Sequence, residues 1–71
     1  MDIFATNLKK AIKDKGFSQR KLADLLNVTQ ATISYYCTGT LEPNLQTLIK
    51  LCRILETTPN DLLDFHEFDI R

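Results

Sequence analysis

Apolar residues recur at three- and four-residue intervals along nearly the whole chain, and the interruptions mark where helices must end. Phe4, Leu8, Ala11 and Ile12 make one such stripe, which the stem of Lys15 would extend. The spacing predicts a first helix with Asp2 as its N-cap and Gly16 at its end, while Lys9, Lys10 and Lys13 take the remaining surface. Phe17 follows as a hydrophobic anchor under the next helix. From Ser18 to Gly39, the positions of Leu22, Ala23, Leu26, Val28, Ile33 and Tyr36 predict two short helices joined by a tight turn, each burying one face against the other. Ser18 is an N-cap, Gln19, Arg20 and Lys21 form a polar first turn, and the small Ala23 lets the second helix cross closely over the first. Asn27 stands where the chain must turn, and Asn tolerates the left-handed conformation that such a turn needs. Thr29 then caps the third helix, leaving Gln30, Ala31, Thr32, Ser34 and Tyr35 as an outward row that is uncharged but rich in hydrogen-bonding groups.

Thr40 to Asn44 read as a loop containing Pro43, with Asn44 capping a fourth helix. Leu45, Leu48, Ile49, Leu51, Cys52 and Leu55 give that helix an apolar face broad enough to be the centre of the core. Thr58-Pro59-Asn60-Asp61 combines a capping threonine, proline at the first helical position and an acid in the first turn, which starts a fifth helix with Leu62, Leu63 and Phe65 as its apolar side. The tail His66 to Arg71 places Phe68 and Ile70 among charges, and its length does not decide between a frayed end, a fold-back and a dimer contact. The expected architecture is all-α: a single domain over residues 1–71, five helices, and a helix-turn-helix motif at about 18–38.

Composition narrows the function. Nine basic side chains balance nine acidic ones, which is unusual for a ligand of a polyanion. The balance hides an asymmetry, because residues 1–36 carry six basic and three acidic groups and residues 37–71 carry the reverse. Such a division suits one face to phosphates and the other to a different contact, although two ordinary solvated surfaces would give the same count. No run approaches the roughly 18 apolar residues of a membrane span, and the first residues lack a signal peptide's apolar core, so a cytoplasmic protein is expected. Cys37 and Cys52 have no CxxC partner and one distant His66, which fits packed thiols better than zinc or a disulfide, and no cofactor is implied. Catalysis is not expected either, since no serine or cysteine has a base beside it in a motif.

Gln19, Ala23 four residues on, Asn27 where glycine is usual, Ile33 and Gly39 together resemble the Cro/CI-type helix-turn-helix regulators of phages and bacteria. The likeness continues through Pro43, LQTLIKLCRIL and TPNDLLDF, so it covers Leu8 to Phe65. It implies a lambda-repressor-like DNA-binding domain acting on an operator in double-stranded DNA, with the third helix in the major groove. On that pattern Gln30 is the base-reading side chain, since its amide can pair with adenine through two hydrogen bonds. Ala31 and Thr32 would meet thymine methyls or backbone, and Ser34 and Tyr35 would reach phosphates. Gln19, at the open N–H groups of helix two, would hold a phosphate as glutamine does there in the family. Thr29, Thr38, Thr40 and Asn44 complete the expected DNA-binding set.

Two departures from the family matter. Many members pair an arginine late in helix one with a glutamate late in helix three, and here those positions are Ile12 and Cys37, which are expected to touch in the core. Members also often carry basic residues such as Asn-Gly-Lys after helix three, whereas Thr38-Gly39-Thr40-Leu41-Glu42 carries one negative charge and no positive one. Monomer binding to DNA should therefore be weak. Two consequences stay open: a homodimer that restores affinity, or an antirepressor role in which this fold docks on a phage CI-type repressor protein through Tyr35 and Leu41.

Overall fold

The computed structural model of the chain describes residues 3–64, and every regular element among them is a helix. The order is α1 (Ile3–Asp14), α2 (Gln19–Leu26), α3 (Gln30–Thr38), α4 (Leu45–Ile54) and α5 (Pro59–Leu63). These helices are too short to persist alone, so local end-signals and one shared core must hold them. The end-signals are those the sequence predicts. Ser18, Thr29, Asn44 and Thr58 each accept a hydrogen bond from the backbone N–H three residues on, at 3.0, 3.2, 2.8 and 3.1 Å. Gly16 and Gly39 end α1 and α3 with positive φ, and the following amides, Phe17 and Thr40, close back onto the Ile12 and Tyr35 carbonyls. Asp2, expected as the first cap, Phe65 and the tail 66–71 lie outside the described residues.

Phe4, Leu8, Ile12, Leu22, Ala23, Leu26, Ile33, Tyr36, Cys37, Leu51, Cys52, Leu55 and Leu62 form one buried cluster, with Ala11, Phe17, Val28, Leu48 and Ile54 packed partly against it. Ile12 and Cys37 both belong to it, where α1 meets α3, so the region that holds an ion pair in many family members is apolar here. Burial pushes both the Cys37 and Cys52 thiols above their ordinary range, with Lys9 partly opposing the shift at Cys37 and Asp61 adding to it at Cys52.

Two expectations need correction. Leu45 is 78% exposed and Ile49 48%, so the core face of α4 is the narrower one made by Leu48, Leu51, Cys52 and Leu55. The six apolar positions of α4 span more of the helix than its neighbours can cover. Lys15 does not extend the apolar stripe of α1. It lies past the end of the helix, and its ammonium meets Glu56 at 2.7 Å. That hydrogen bond, then the charge behind it, holds the Glu56 carboxyl below its ordinary value. The pair's small contribution is therefore complete above the unfolded carboxylate value and is lost as pH falls through the lower folded one.

The attachment of α5 was not legible beforehand. The Asn7 amide donates to the Asp61 and Leu62 carbonyls at 3.2 and 3.0 Å, joining α1 to the last turn of α5. Replacing Asn7 by alanine should cost about 1–2 kcal/mol in a urea unfolding titration, because those carbonyls lose a shared donor. A thiol reagent at neutral pH should leave Cys37 and Cys52 unmodified in the folded chain and label both in denaturant.

Candidate nucleic-acid interface

The two helices of the motif meet through a connection of three residues, Asn27, Val28 and Thr29. Asn27 takes the left-handed conformation at φ 59°, and its amide and that of Val28 return to the Asp24 and Ala23 carbonyls at 3.2 and 3.0 Å. The turn is thus closed onto the end of α2 before α3 begins. Ala23 is buried at the crossing, and Ile33, Tyr36 and Cys37 fix the inner side of α3. With its inner side anchored in this way, α3 has its opposite side committed to solvent.

That outer side contains no charged residue from Gln30 to Thr38. Gln30 and Ala31 are exposed in the first turn, Tyr35 is 49% exposed one turn later, and Thr32 and Ser34 are half-buried between them. The row is therefore less fully outward than its spacing implies. Thr32 is also committed internally, since its hydroxyl lies 2.9 Å from that of Thr29 while its N–H donates to the same Thr29 oxygen. These bonds fix the N-terminus of α3 without using Gln30, which is exposed as the first residue of the helix.

The flanking residues are similarly ordered. Thr38 donates its hydroxyl to the Tyr35 carbonyl at 3.2 Å and lies 2.8 Å from the Thr40 hydroxyl. Asn44 uses its side-chain oxygen to cap α4, which leaves its NH₂ as the group facing outward chemistry. Gln19 occupies the first position of α2, half-buried beside the Ser18 cap. Its helix carries Arg20 and Lys21, both exposed, and α1 contributes exposed Lys9, Lys10 and Lys13. Between Gly39 and Asn44 the single charge is that of Glu42.

Two surface grooves flank the bundle without any lining residue from α2 or α3. One, of about 300 Å³, lies along Asn7, Lys10, Asp14, Thr57 and Asp61, and the other, of about 170 Å³, is bounded by Phe4, Glu42, Pro43, Leu48 and Leu63. No group of three or more metal-ligating side chains assembles among the described residues. No described helix is long and apolar enough to cross a membrane.

Comparison with known proteins agrees with this geometry. A family model described as "Helix-turn-helix" matches residues 8–62, which takes in everything from mid-α1 to α5. The chain is 41% identical over 61 residues to the SPbeta prophage-derived uncharacterized HTH-type transcriptional regulator YonR of Bacillus subtilis, covering 86% of this chain and 56% of that protein. It is 38% identical over 61 residues to the uncharacterized HTH-type transcriptional regulator YqaE of the same organism, covering 86% of this chain and 53% of that protein. The chain thus spans about half the length of the curated relatives it matches. No solved structure gives a significant match. The fold, the capped three-residue turn and the extent of the family match agree, and the chain belongs to the helix-turn-helix family of the Cro/CI type.

Proposed function

We propose that the chain is a DNA-binding transcriptional regulator that reads its operator with α3 in the major groove. The observation that carries this reading is the form of α3 itself: a helix seated in the core by Ile33, Tyr36 and Cys37, whose outer side is uncharged and headed by an exposed glutamine. A charged outer face would bind any phosphate it met, whereas amide and hydroxyl groups on a fixed helix can match base edges. Gln30 is assigned to an adenine, Ala31 and Thr32 to neighbouring methyl or backbone groups, and Ser34 and Tyr35 to the flanking phosphates. Gln19 and the N–H groups at the start of α2 would take a further phosphate, supported by the positive end of that helix. Thr29, Thr38, Thr40 and Asn44, held by their internal hydrogen bonds, form the rim of the contact.

The weak point of such an interface is its charge. The loop after α3 offers Glu42 and no cation, so phosphate contact rests on α1, on Arg20 and Lys21, and on backbone amides. A symmetric dimer would offset this by placing two α3 helices about 34 Å apart along one face of the duplex. The same loop favours a second reading, in which the protein is an antirepressor that docks Tyr35 and Leu41 on a CI-type repressor; Leu41 is 45% exposed beside Glu42.

A low-salt titration against DNA from the gene's own neighbourhood, with and without the neighbouring repressor, separates the readings. On the first, the protein alone binds in a sequence-dependent manner. Gln30→Ala should then lose about 1–3 kcal/mol of discrimination at one base pair, while Gln19→Ala, which removes a neutral phosphate contact, weakens all sequences alike and leaves the salt slope nearly unchanged. Absence of any binding alone, together with altered DNA binding by the repressor, would select the second.

A further inference from the structure

Lys9 and Lys10 are neighbours in α1, both exposed, yet the fold gives them opposite surroundings. Leu8 is fully buried, and at roughly 100° of helix rotation per residue Asn7 and Lys9 fall on opposite sides of it. The Asn7 side belongs to α5. There the Asn7 amide bonds to the Asp61 and Leu62 carbonyls, and Lys10 and Asp14 line the groove of about 300 Å³ together with Asp61. Lys10 thus shares its groove with two carboxylates. The Lys9 side is turned away from α5, and the other helix packed closely on α1 is α3. The charge of Lys9 acts on the thiol of Cys37, which stands in the last turn of α3. No acid of α1 competes on this side, since Asp14 is the only one among the described residues of the helix and it lies in the groove. Lys13, four residues on, extends the same cationic flank.

We propose that Lys9 is the cation that receives a DNA phosphate at the C-terminal end of α3, and that Lys10 takes no part. The inference deepens the reading of α3 as the DNA-binding helix and rests on its placing that helix against a duplex. The end of α3 is a poor place for a phosphate by itself. Its last carbonyls carry partial negative charge, α3 has no charged side chain, and the loop that follows adds only Glu42. A cation beside that end reverses the balance, and Lys9 is supplied from α1, not from the loop. The hydroxyls of Thr38 and Thr40, both exposed and 2.8 Å from one another, stand at the same end and can complete the contact. Among the described residues no carboxylate lies within ion-pair distance of Lys9, so its charge is available to a ligand. A lysine suits this task, because its flexible stem lets a point charge follow the backbone without demanding one geometry.

The test is the salt dependence of DNA binding, measured for the wild type, Lys9→Gln, Lys9→Arg and Lys10→Gln with duplex from the gene's neighbourhood and with a scrambled duplex. Circular dichroism confirms that each variant keeps its helices. Lys9→Gln should weaken binding to both duplexes alike and reduce the slope of log affinity against log salt by about 0.9, the share of one neutralised phosphate. Lys9→Arg should keep the wild-type slope, and so should Lys10→Gln. A full slope in Lys9→Gln overturns the proposal, as does an equal loss in Lys10→Gln, which would show that any positive charge on α1 serves. Gln30→Ala, measured alongside, separates this inference from the reading beneath it. Relaxed base preference in Gln30→Ala with a full slope in Lys9→Gln leaves α3 as the reader and removes the role of Lys9. The expected slope change without any base preference keeps Lys9 as a phosphate ligand and removes the assignment of Gln30. A chain that binds neither duplex overturns both.

Discussion

Ile33 is fully buried, and with Tyr36 and Cys37 it makes the whole buried side of α3. The helix is nine residues long, and its outer side is uncharged. Its orientation depends on the seating of Ile33, Tyr36 and Cys37 against α1 and α2, and on Ala23 letting α2 come close. An ion pair between α1 and α3 would hold the two helices by charge but would require both partners to be buried together. With Ile12 and Cys37 in that region, packing alone performs the task, and α3 is held by shape rather than by electrostatics.

Around that seat the structure repeats one solution to one problem. Short helices leave open N–H groups at their starts, and from α2 to α5 a serine, threonine or asparagine closes each start. In α3 the same device reaches further, since Thr29 and Thr32 bind each other as well as the backbone. The hydroxyls around α3 are thereby oriented before any ligand arrives, which reduces the ordering cost of a contact made through them. The distribution of charge fits this arrangement, with cations on α1 and α2 and none on α3.

Much of this was legible in the sequence because it is written locally. The four caps, the ends at Gly16 and Gly39, and the left-handed turn at Asn27 depend on residues within a few positions of one another, and each is found as read. What depended on distant packing was read less well. Periodicity placed Leu45 and Ile49 in the core, since it shows that a face is apolar but not whether a neighbour is long enough to cover it. Asn7 gave no sign of its bonds to α5, because a lone polar residue on a helix looks the same whether it meets solvent or a carbonyl 54 positions away. The Lys15 and Glu56 pair, 41 residues apart, was invisible for the same reason. Within the candidate interface, the sequence marked which side chains could face outward, and only the folded structure shows Thr32 and Ser34 half-buried between their neighbours.

On the proposed reading α3 is the element that meets the base edges, and the surfaces around it meet phosphates. Amide chemical shifts of the isotopically labelled protein, followed while DNA from its gene neighbourhood is added and then a scrambled duplex of equal length, test it most directly. The account predicts shifts concentrated at Gln19, at Gln30 to Tyr35 and in the loop to Asn44, larger and distinct with the native sequence. Saturation by either duplex with α3 unmoved, or with the shifts gathered on α4 and α5, would contradict it.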